Sequence, residues 1–92
     1  MQVKTLRELP LRCPCCLCKT LHIRGEYDIC PVCFWEDDGQ DEEDADEVCG
    51  GPNGDLSLTQ ARENYRRIGA SREQDLPYVR APLREELPDA AG

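Results

Sequence analysis

One histidine, one phenylalanine, one methionine and one tryptophan in 92 residues leave this chain few large side chains to build with. Leu, Ile, Val and Phe together number 18, just under a fifth of the chain. Coupled to a net charge of −8, that composition stands at the edge of what stays disordered. A core so thin supplies no more than about 3–5 kcal/mol, and domains of this size add a disulfide, a metal or a second subunit. The length leaves no room for two independent cores. With His22 as the single histidine, no Ser-His-Asp or Cys-His-Asp arrangement offers itself. An ordinary apolar-core enzyme is disfavoured, and a non-enzymatic protein is expected.

Long apolar runs are also lacking. The stretch from Met1 to Leu11 carries Lys4, Arg7 and Glu8, so it has no secretory apolar region. Elsewhere the apolar runs are too short for a membrane span. The expected location is the cytoplasm, with no membrane partner. There thiols stay reduced and ligate metal more often than they pair. That matters because the chain holds seven cysteines, an odd number.

Residues 25–55 contain no Lys or Arg and twelve acids. The flanks are basic: residues 1–24 sum to +4 and residues 56–84 to +3. Nine of the acids fall within Glu36–Glu47. A calcium loop of the EF-hand type wants an acid five residues before its glycine, and the residues there are Phe34 and Ala45. The run therefore reads as a solvated loop, with contact to a cation or a basic partner as the alternative.

Cys13-Pro14-Cys15-Cys16 and Cys30-Pro31-Val32-Cys33 are two C-P-x-C units separated by thirteen residues. Each turn points two sulfurs at one ion, and two turns complete a tetrahedral four-sulfur shell suited to zinc, or to iron as in rubredoxin. Proline after the first cysteine restricts the turn before it closes. Cys15 and Cys18 offer a second register for the first unit. The repeated Cys-Pro start favours Cys13, Cys16, Cys30 and Cys33 as ligands of one structural zinc. Cys49 is then spare, and His22 lies on the surface.

Around these units, Leu21-His22-Ile23 and Tyr27-Asp28-Ile29 alternate about Arg24-Gly25-Glu26, the pattern of a β-hairpin. Ser57, three residues before Gln60, opens a helix whose Leu58, Ala61, Tyr65 and Ile68 share a face, with Gly69 as its stop. Glu63 is placed to pair with Arg67. Ser71 begins a second, shorter helix limited by Pro77. Phe34 and Trp35 are expected to pack on the helix stripe. The expected fold is a small metal-stabilised α+β domain: a zinc-ribbon-like hairpin with two CPxC knuckles, one main helix and a short second one. Residues 1–82 form the zinc-binding domain and 83–92 an irregular tail.

The stretch Gly25-Glu26-Tyr27-Asp28-Ile29-Cys30-Pro31-Val32-Cys33-Phe34-Trp35-Glu36-Asp37-Asp38, together with Cys13-Pro14-Cys15-Cys16, resembles the bacterial cysteine-rich CPCC family. Gly50-Gly51-Pro52-Asn53, Ser57 through Tyr65, Gly69-Ala70-Ser71 and Tyr78-Val79-Arg80 extend the resemblance over roughly residues 12 to 82. It implies a zinc-binding protein of the bacterial cytosol and no established activity. Leu17-Cys18 departs from the family's usual Gly and aromatic, which keeps the Cys15/Cys18 register open. Three function classes follow from the residues. The leading one is a zinc module that binds a basic protein through its acidic loop. An iron electron carrier and a thiol switch using Cys15 or Cys18 are alternatives. Nucleic-acid binding through the six arginines after residue 56 runs against the net charge.

Overall fold

The computed structural model describes residues 10–88. Residues 1–9 and 89–92, the outer ends of the expected domain and tail, lie outside the described residues. Strand β1, Leu11–Arg12, pairs antiparallel with β2, Lys19–Leu21. The first CPxC unit forms the connection between them. The second unit is flanked by its own bridge, Ile29 to Glu36, extended by Tyr27 N–H to Asp37 O (2.8 Å) and Asp37 N–H to Asp28 O (2.9 Å).

The hairpin expected between the two units is therefore not formed. Each knuckle closes a hairpin of its own instead. The backbone of residues 22–25 takes partners other than a facing strand: His22 N–H donates to the Asp28 carboxylate and Gly25 N–H to that of Asp37. Ile23, Tyr27 and Ile29 are 51, 54 and 42% exposed, so their alternation had no buried face to serve. Leu21 alone of that pattern is fully buried, as part of β2.

Helix α1, Leu58–Ile68, runs where its stripe and caps place it. The Ser57 hydroxyl accepts from Gln60 N–H at 3.0 Å, and Gly69 ends the helix at φ 87° with its N–H on Tyr65 O. Only a left-handed residue closes the helix this way, so glycine fits without strain. The Gln60 side chain turns along the helix to Asn64 rather than back to the cap. Glu63 pairs with Arg66 one turn on, not with Arg67, whose guanidinium goes to Asn64.

The second helix is a 3-10 helix, Glu73–Tyr78, containing Pro77 and preceded by an extended Arg72. Ser71 does not cap it. Its N–H donates to Cys33 O (2.8 Å) and its carbonyl accepts from Asn64, which ties the exit of α1 to the second knuckle. Arg84–Glu86 form one further 3-10 turn, held by a two-pronged contact between Arg80 and Glu86.

The core is built around sulfur. Six cysteines are buried together with Trp35, Leu21, Leu58, Val32 and Ala61, and Leu11, Leu56 and Tyr65 pack against them. Trp35 meets its expectation. Phe34 does not: it stands at φ 70° at the end of its knuckle and packs on the Tyr78 ring, with centroids 5.5 Å apart.

The acidic run is less solvated than its composition implies. Asp37 is fully buried and Gln40 nearly so. Asp37 accepts from Arg24 Nε at 2.8 Å, Gly25 N–H at 2.7 Å and Gly39 N–H at 3.1 Å. Gln40 donates to the carbonyls of Asp44 and Glu47. Asp41 caps a 3-10 turn at Glu42–Asp44. Asn53 then fastens the glycine-rich loop, its side chain bonding both backbone groups of Glu36.

Candidate metal centre

The two CPxC units adopt one backbone conformation. In each, the first cysteine's carbonyl accepts from the N–H four residues on: Leu17 to Cys13 and Phe34 to Cys30, both at 2.8 Å. In each, that cysteine's N–H donates to the carbonyl five residues on: Cys13 to Cys18 O at 2.8 Å and Cys30 to Trp35 O at 3.0 Å. In each, the residue after the second cysteine is left-handed, Leu17 at φ 68° and Phe34 at φ 70°. Turning the chain that tightly brings both sulfurs of a unit to the same side.

The Sγ atoms of Cys13, Cys16, Cys30 and Cys33 all lie within 4.8 Å of one another, and all four residues are buried. Cys13 and Cys33 sulfurs are 3.6 Å apart across the two knuckles, and Cys16 and Cys30 are 3.7 Å apart. A disulfide has its sulfurs about 2.05 Å apart, so these are not bonded pairs. A tetrahedron with metal–sulfur arms of about 2.3 Å has edges of about 3.8 Å. The observed edges fit a metal-sized centre.

The electrostatics ask for a cation. Hydrogen bonds from Cys13, Cys16 and Cys33, with one from Thr20, hold the Cys30 thiol well below its usual range. The same contacts work against its neighbours. Cys16 is pushed far up by its hydrogen bonds with Cys13 and Cys30 and by burial, and Cys33 is pushed up by its contacts with Cys13 and Cys15. One thiolate is comfortable there by itself; four need positive charge among them. A bound metal ion would supply it.

The family comparison agrees with this geometry. The model of the cysteine-rich CPCC family matches residues 11–86. The chain belongs to that family. No curated protein and no solved structure matches it.

Cys15 and Cys18 are buried beside the four-sulfur group without joining it. Burial pushes the Cys18 thiol up. Cys49 is exposed. The His22 side chain is 77% exposed, with its Nδ1 3.7 Å from the Asp28 carboxylate. Two residues that touch the site or support it were missed. Thr20 places its hydroxyl 3.0 Å from Cys30 Sγ, and Asp37 buttresses the strand leaving the second knuckle. Nothing in a single threonine or in one acid among nine marks either of them. Among the described residues, no helix is long and apolar enough to cross a membrane.

Proposed function

We propose that Cys13, Cys16, Cys30 and Cys33 hold one structural zinc ion, and that this CPCC domain is a non-enzymatic module that binds a basic protein. The observation that carries the reading is the group of four buried sulfurs with edges of 3.6 and 3.7 Å. Thiolate-only tetrahedral ligation takes zinc or iron, and zinc binds such a site more tightly than ferrous iron. Four thiolates leave no coordination position for an activated water, so a metal held there supports the fold rather than chemistry. Burial of Cys15 and Cys18 counts against a thiol switch, since the thiolate is the reactive form.

Four arginines have local acidic partners. Arg24 meets Asp37 and Asp41, Arg62 meets Glu42, Arg66 meets Glu63 and Arg80 meets Glu86. Arg67 and Arg84 stay exposed without an acidic partner among the described residues, so the case against a nucleic-acid backbone rests on the net charge of −8. Glu43 and Glu47 of the acidic loop remain exposed, which supports steering of a basic partner.

Elemental analysis of the purified protein with its visible spectrum tests the metal. One zinc per colourless chain is expected, and a red iron protein would overturn zinc. Cys13→Ser, Cys16→Ser, Cys30→Ser and Cys33→Ser should each lose metal or folding, whereas Cys18→Ser and Cys49→Ser should retain one ion. Loss of metal from Cys18→Ser, with retention in Cys13→Ser, would establish the other register. For the partner, pull-downs should weaken steeply between low and physiological salt, where screening shortens to about 8 Å. Changing the exposed Glu43 and Glu47 to Gln, with the structural Asp37, Asp41 and Asp44 kept, should weaken capture. Identical interactors for both loops at both salt levels would remove the partner reading.

A further inference from the structure

We propose that Thr20 is a positioning residue of the metal centre, its hydroxyl donating to the Cys30 thiolate and thereby slowing loss of the metal. The inference rests on the proposed zinc site and deepens it.

Strand β2 is irregular at this one residue. Leu11 faces Leu21 and Arg12 faces Lys19, so one step along β1 corresponds to two along β2. Thr20 is the extra residue, the signature of a β-bulge, a device that re-aims a side chain. In a regular strand Thr20 and Leu21 would point to opposite faces. Here both are buried, Thr20 at 7% exposure and Leu21 at zero. The bulge turns Thr20 inward to 3.0 Å from Cys30 Sγ, ten residues further along the chain and in the other knuckle. Its hydroxyl has no other side-chain partner among the described residues.

A thiolate only accepts hydrogen bonds, so in a metal-bound cluster the hydroxyl is the donor. Val32 N–H points at the same sulfur from 3.4 Å. Cys30 thus receives one donor from its own knuckle and one from the opposite hairpin. Each draws electron density off the sulfur, which leaves it less open to protons and electrophiles while it stays bound. Loss of a partner of this kind typically costs 10–100-fold in metal affinity.

The full chain is loaded with cobalt(II), whose sulfur-to-metal charge-transfer band reports thiolate electron density, and separately with zinc. Wild type is compared with Thr20→Val, Thr20→Ala and Thr20→Ser. Valine keeps the branched shape without the hydroxyl, alanine removes both, and serine keeps the hydroxyl without the methyl. The valine and alanine variants should bind one equivalent, show the band at longer wavelength, and pass zinc to a chelator about 10-fold faster. Serine should restore band and rate. A valine variant with wild-type band and rate overturns the proposal, as does a serine variant that behaves like alanine. If wild type takes up neither ion, the zinc reading itself falls and takes this inference with it. Normal loading with an unmoved band removes Thr20 alone.

Discussion

Leu17 and Phe34 occupy the same position in the two knuckles, both left-handed at φ near 70°. A side chain there costs about 1–2 kcal/mol against glycine. Phe34 recovers part of it on the Tyr78 ring. Leu17, 46% exposed, recovers little. Leu17→Gly should therefore stabilise the fold by about 0.5–1 kcal/mol after the entropy glycine adds to the unfolded chain, read as a higher denaturant midpoint. Asp37 has the opposite character. It is fully buried and accepts three hydrogen bonds, one from Arg24. Asp37→Ala strands those donors and should cost about 2–3 kcal/mol in a denaturation curve. That is less than for a sealed ion pair, because Arg24 is a third exposed and keeps Asp41. The cysteine pairs were legible at this scale because covalent spacing alone brings two sulfurs together. Asp37 was not: inside a run of nine acids, nothing in composition separates the buried carboxylate from the solvated ones.

Among the elements, the bounds of α1 were legible, since its cap, stripe and stop are local and agree with one another, though its surface pairs were not. The hairpin was misplaced because alternation over three residues on each side is weak information. The knuckles, each demanding closure by its own flanking backbone, decided the pairing. The last described turn adds a pH effect. The Arg80 guanidinium on Glu86 holds that carboxyl below its ordinary value. Its folded pKa is thus lower than its unfolded one. The stabilisation is complete above the unfolded value, near the ordinary carboxylate range, and disappears as pH falls through the folded value. The stability difference between wild type and Arg80→Ala should accordingly be present at neutral pH and shrink in acid. A difference that grows on acidification would contradict this pairing.

For the whole molecule, the balance of forces follows from how little apolar material there is. The buried cluster contains six cysteines and only a handful of large side chains. Without a cation, packing four thiol groups this closely is unfavourable for more than one thiolate. A structural zinc ion contributes folding free energy on the order of 10 kcal/mol, more than so small a core supplies. Helix α1 has 11 residues, below the length of about 12–15 at which an isolated helix holds itself together in water. Metal and fold should therefore be lost together. The most direct test is the amide NMR spectrum of the purified protein before and after treatment with a chelator under reducing conditions. Collapse of the dispersed signals of β1, β2 and both knuckles, leaving at most a frayed α1 and returning when zinc is added, is the predicted result. A metal-free chain that keeps its dispersed spectrum would contradict a fold held together by the four-cysteine centre.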